Sequence, residues 1–201
     1  MVRLDPAVVT LRVRYTPGVA QPVSVWAQQT GAWLVVNAGY FTEDALVTGL
    51  TISDGAVYGT AYGDFAGMLS ILPEGAVSLR WMREQPYVPG EPLAQAVQSF
   101  PLLVKPGGVM GFPADADDGR AARRLVVAQD VHGQLLFVIA PRGLFSLHEL
   151  AVWLAESDLE VDVALNLDGG PSAGVWLSEG ASPVQVDSYA GVPAVITVDW
   201  R

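Results

Sequence analysis

Across residues 7–15 apolar and polar positions alternate, with Val9, Leu11, Val13 and Tyr15 set against Thr10, Arg12 and Arg14. A period of two belongs to a strand half covered by a core, so the arginines fall on its solvated face. Pro17-Gly18 ends that strand. Residues 22–30 predict a short helix, with proline at its first turn and Gly31 just past its end. Trp33-Leu-Val-Val-Asn37 then predicts a buried strand running into Ala38-Gly-Tyr-Phe41.

Residues 50–82 keep a strand-like pattern. Residues 50–58 predict a hairpin turning at Asp54-Gly55, and residues 68–72 and 76–82 a second pair around Pro73-Glu74-Gly75. Residues 83–91 carry three prolines or glycines and read as loop, and residues 92–98 as a short helix. Residues 100–105 predict a strand that opens on Pro101, hence an edge strand or one that begins late. Residues 109–119 read as loop. Asp115, Asp117 and Asp118 lie in it, but an EF-hand would need further oxygen ligands and a closing glutamate, so they read as solvated.

Residues 124–130 and 134–140 form the clearest hairpin, with His132 at its tip. Ser146-Leu-His-Glu149 is a capping box, and Leu147, Leu150, Ala151 and Leu154 give the helix that follows, residues 147–157, one apolar face. His148 falls off that stripe and is expected to be exposed. Residues 192–200 predict a final strand. The pattern as a whole predicts an α+β fold of twisted, mostly antiparallel or mixed sheets with two or three helices, in one domain spanning residues 1–201.

Two segments share one organisation. Helix 22–30 leads into a strand ending at Asn37, with Gly39 beyond. Helix 147–157 leads into a strand ending at Asn166-Leu-Asp168, followed by Gly169-Gly170. Ligands of parallel sheets sit outside the carboxyl ends of the strands. If the two strands are parallel neighbours, Asn37, Asn166 and Asp168 converge. The alternative reading of Asp168-Gly169 is a plain hairpin turn.

Composition narrows the function. The net charge of −10 argues against a nucleic-acid or anionic-membrane surface, and no apolar run reaches the roughly 20 residues of a spanning helix. With no cysteine and two histidines, thiolate chemistry is excluded and a transition-metal site disfavoured, while an oxygen-ligated calcium stays open. No cofactor is expected. Lys105 is the sole lysine among eleven cations. Residues 1–6 do not read as a signal peptide, which leaves a cytoplasmic location open.

Five ordered segments resemble the phosphodiester glycosidase family. They are Asn37-Ala-Gly-Tyr-Phe41, Gly49-Leu-Thr-Ile-Ser-Asp-Gly55, Pro101-Leu-Leu-Val-Lys105, Arg124 before Asp130-Val-His-Gly133, and Asn166-Leu-Asp-Gly-Gly170 with Ser172. The chain departs from the family pattern at Leu125, at Ser99-Phe100, at Pro171 and in its last strand. The resemblance implies hydrolysis of a glycosyl phosphodiester in envelope or exopolysaccharide material, a carbohydrate or phosphosugar partner, and an extracellular or periplasmic location.

Such cleavage needs a carboxylate near the anomeric carbon and cationic donors near the phosphate. Asp168 suits the first, as nucleophile or base, and Arg124 the second, because a guanidinium matches paired phosphate oxygens. Asn166 joins them as a catalytic candidate. Asn37, Gly39, Tyr40, Gly169, Gly170, Ser172 and Arg123 are the substrate-binding candidates, and Glu43, beside Asp44, is the candidate second carboxylate. Ser172 lacks the surroundings of a nucleophile. The rival reading, prompted by Leu125 and Pro171, is a non-catalytic module that binds a phosphosugar or glycan.

Overall fold

The alternating stripe at the start of the chain finds its core between two sheets. Val9, Leu11 and Val13 join Leu34 and Val36 from their own sheet, and Leu125, Val127, Phe137, Val163 and Leu165 from the facing one, in a single buried cluster. The computed structural model describes residues 1–180 and 182–201. Among the described residues every strand pairing within the three sheets is antiparallel, and two α-helices cover them, giving the expected α+β architecture.

The first sheet orders its strands as Val2–Leu4, Leu135–Phe145, Ala122–Asp130, Val161–Asn166, Leu102–Lys105 and Val109–Met110. The second runs Val184–Val186, Val175–Leu177, Leu34–Asn37, Ala194–Trp200 and Val9–Tyr15. The third runs Ala56–Tyr58, Thr51–Ser53, Gln95–Ser99, Gly67–Ile71 and Val77–Trp81. Strand alternation divides the residues between layers. Leu34 and Val36 face the central core, whereas Val35 turns outward onto helix α1 (Val23–Thr30). Likewise Val163 and Leu165 face inward, and Ala164 packs under helix α2 (Leu147–Glu156). The third sheet sends Leu69, Ile71, Leu79 and Val97 into the same core.

Local chemistry sets several boundaries. Asp54 and Gly55 both hold positive φ, at 48° and 80°, the geometry of the tight hairpin turn the sequence predicts. Helix α1 ends at Gly31 in the left-handed region. Its amino end is capped from far along the chain, where the Ser188 hydroxyl accepts from the Val23 amide and the Asp187 carboxylate from the Ser24 amide. Helix α2 carries its capping box as expected, with the Ser146 hydroxyl accepting from the Glu149 amide at 3.2 Å. Ser146→Ala should lower stability by about 1 kcal/mol, read as a fall in thermal midpoint. A fall no larger than that of an exposed control substitution would show the box to be redundant.

Two expectations about the strands need correction. Residues 92–98 are not helical, because Gln95–Ser99 is a fully buried central strand of the third sheet. Its glutamines look like helix formers locally but serve as cross-links: Gln95 Oε1 accepts from the Val13 and Asp54 amides, and Gln98 Oε1 from the Tyr62 amide. Strand Leu102–Lys105 begins late, after Pro101, as expected of a strand that has neighbours on both sides. Finally, the strands ending at Asn37 and Asn166 are not parallel neighbours, since they lie in different sheets. What they share is a meeting of their carboxyl ends, where the Asp168 amide donates to the Ala38 carbonyl at 3.1 Å.

Candidate active site

That meeting point is clamped by a side chain. Asn37 is wholly buried. Its Nδ2 donates to the Asp168 carbonyl at 2.8 Å, and its Oδ1 accepts from the Gly174 amide at 2.9 Å. All its hydrogen bonds are with backbone, so it fixes where Asp168 sits, and it does not line the cavity beside Asp168. Gly39 is also a packing position, since a Cβ there would lie 2.8 Å from the Gln98 carbonyl oxygen. Gly169 answers to the same constraint, 2.8 Å from the Arg123 carbonyl oxygen, whereas Gly170 adopts φ of +57° with open space around it.

Beyond this clamp lies a cavity of about 590 Å³, lined by Tyr40, Arg124, Asp168, Gly169 and Gly170 on one side. The other side is the loop from Phe112 to Ala122, with Asp117, Asp118 and Arg120. Burial pushes the Asp168 carboxyl up from 3.8 to about 6, against the pull of hydrogen bonding from the Ser172 side chain and the Gly169 amide. A carboxyl of that kind changes charge near neutrality, as an acid–base group must. Arg124 is anchored through Nε to the Phe145 carbonyl and through Nη2 to the Arg120 carbonyl, and Nη1 has no protein partner among the described residues.

Tyr40 stands beside them. Burial first, and then the Asp168 charge, push its hydroxyl up to about 12, so it stays a neutral donor. It donates to the Phe100 carbonyl at 3.1 Å and accepts from Asn166 Nδ2 at 2.9 Å. Asn166 is itself wholly buried and also donates to the Phe100 carbonyl. Its place is behind Tyr40, holding the ring and hydroxyl in position. Phe41, by contrast, packs against the cluster under helix α1.

The remaining candidates separate. Glu43 and Asp44 are exposed on their loop and do not line the cavity. Arg123 is only 8 % exposed, points away from Arg124, and donates to the Ala173 and Asp187 carbonyls beneath the Tyr189 ring. Leu125 is buried in the central core, so the side chain at that departure from the family pattern does not meet the cavity. The carbonyl of Pro171 accepts from the Tyr189 and Ala190 amides, a structural use.

Sequence reasoning missed Asp117. In burial its carboxylate would resist charge, but hydrogen bonding from the Ser146 side chain and from the His148 and Gly119 backbone outweighs that and holds its pKa below the ordinary value. The His148 amide donates to Asp117 at 3.2 Å, and His148 Nδ1 lies 2.9 Å from the Phe112 carbonyl. His148 is therefore half-buried, as a tie between helix α2 and the loop, where exposure was expected. No local signal marks Asp117, because Ser146 and His148, which hold it beside the cavity, are about thirty positions downstream. Among the described residues no three His, Cys, Asp or Glu side chains gather in metal-holding geometry, and no helix is long and apolar enough to cross a membrane.

A family model described as phosphodiester glycosidase matches residues 30–198. No curated protein matches the sequence. Among solved structures, the catalytic domain of zebrafish N-acetylglucosamine-1-phosphodiester alpha-N-acetylglucosaminidase, auto-inhibited by its pro-peptide, superposes with a TM-score of 0.71 at 21% identity, over 98% of this chain and 74% of that one. A hypothetical protein from Synechocystis gives 0.68 at 17% identity, over 99% of this chain and 58% of that one. A Burkholderia pseudomallei protein described as exported gives 0.65 at 14% identity, over 98% and 73%. At these identities the likeness is one of fold.

Proposed function

The chain belongs to the phosphodiester glycosidase family, and on that premise we propose that it hydrolyses a glycosyl phosphodiester, a sugar-1-phosphate ester of a cell-envelope or exopolysaccharide glycan. The observation that carries this reading is that one cavity is lined by both a carboxyl with a pKa of about 6 and a guanidinium with an uncommitted edge.

The chemistry follows from the leaving group. Cleaving the bond between the anomeric carbon and the ester oxygen builds positive charge on the sugar and releases a phosphate monoester, which departs without strong acid assistance. Arg124 takes the phosphate oxygens. Asp168, ionised above about pH 6, either attacks the anomeric carbon or takes the proton of the attacking water. Asp117, held ionised on the opposite wall, favours the positive charge that develops on the sugar. Tyr40 offers a ring to the sugar face, with its hydroxyl already committed. An exterior site of action fits such a substrate.

Turnover of a methyl sugar-1-phosphodiester, followed by release of phosphomonoester, is the test. The rate should rise with pH through an acidic limb centred near 6, where Asp168 loses its proton. A flat profile across that limb would remove Asp168 from the chemistry. Binding of the diester without any turnover would favour the rival, a phosphosugar- or glycan-binding module, which loses some of its motive because neither Leu125 nor Pro171 lines the cavity.

A further inference from the structure

A second pocket of about 380 Å³ adjoins the first, and the two share Phe112 and Ala116 as a common wall. It is lined by Phe65, Trp81, Phe100, Arg83, Lys105 and Asp64. The Tyr40 ring of the first pocket stacks at 4.6 Å on the Phe100 ring of the second, so aromatic surface runs from one to the other. Phe65, 55 % exposed, extends that surface outward against Phe100. Trp81 is fixed by its indole N–H, which donates to the Asp64 carbonyl at 2.9 Å.

The charges here run against those of the molecule. In a chain of net charge −10, this pocket gathers the sole lysine and an arginine, both within 5.2 Å of the Trp81 ring centre. Arg83 pairs with Asp64 at 3.2 Å, but Lys105 has no carboxylate partner among the described residues. Lysine held beside an aromatic face, without a counter-ion, leaves an ammonium available to an incoming anion.

We infer that this pocket is a second glycan subsite that takes the next phosphate-linked sugar of the substrate, so that the protein works on a chain of phosphodiester-linked sugars. Interleaved aromatic faces and cations match the alternation of sugar rings and phosphates along such a chain. A neutral glycan would use the rings and leave the cations idle. The inference rests on the proposed hydrolysis for its first subsite, and its test separates the two.

Arg83→Ala/Lys105→Ala should raise KM for an oligomer of phosphodiester-linked sugars about tenfold, with kcat held, because charge-assisted contacts are lost on binding. The same variant should leave turnover of the methyl sugar-1-phosphodiester unchanged, and a neutral oligosaccharide of equal length should bind both proteins alike. Equal losses on both diesters, or no loss on either, would overturn the subsite. Should the wild type cleave neither diester, calorimetric binding of the oligomer to the full chain still decides. Affinity that falls about tenfold in the double variant sustains the subsite while hydrolysis fails, and affinity that is absent or unchanged overturns the subsite.

Discussion

Asp168→Asn is expected to cut turnover of a sugar-1-phosphodiester by about a thousandfold or more, and at the same time to make the protein more stable at pH 8. The first effect follows because asparagine neither attacks an anomeric carbon nor accepts a proton from water. The second follows from burial. Folding raises the Asp168 carboxyl from 3.8 to about 6, so across that window the native state keeps a proton that the unfolded chain has released. Stability therefore falls as pH rises from about 4 to about 6, and the whole penalty is carried above it. A shift of that size corresponds to about 3 kcal/mol, reduced to about 1–2 kcal/mol for a side chain that keeps some contact with water. Denaturant midpoints at pH 8 and pH 4 measure it, with the gain expected only at the higher pH. A variant that loses activity but gains nothing at pH 8 would show that Asp168 is not held against its charge.

Asn37→Leu is expected to cost about 3–4 kcal/mol, because it strands a buried amide N–H and a buried carbonyl that the asparagine now satisfies. The substitution keeps the volume and removes only the polar contacts. Since one of those contacts is the Asp168 carbonyl, kcat should fall along with stability. Urea unfolding followed by circular dichroism gives the first number and steady-state kinetics the second. If stability were unchanged and KM alone rose, Asn37 would be meeting the substrate, as its position in the sequence suggests.

These two residues mark how far the sequence carries. Asn37 and Asp168 stand out in the chain for one reason, a polar residue and glycine at the end of an apolar strand, yet only Asp168 lines the cavity. Period and neighbouring glycine identify a strand end, and they do not say whether its polar group faces a ligand or a backbone. Arg123 and Arg124 pose the same problem as adjacent guanidiniums on one strand. Alternation puts them on opposite faces, and the neighbouring sheet decides which face is buried.

Features that depend on neighbours in the chain are legible from the residues alone: the strand periodicity of residues 9–15, the Asp54-Gly55 turn, the capping box at Ser146, and the ordered segments that carry the family resemblance. Tertiary structure alone decided what depends on partners far along the chain. It placed the strands of Asn37 and Asp168 in different sheets with touching ends. It replaced the helix expected over residues 92–98 with a central strand, Gln95–Ser99, since ladders on both sides outweigh a weak local preference. And it brought Asp117 to the cavity by hydrogen bonds from Ser146 and His148, residues whose distance in the chain hides a contact that packing makes direct.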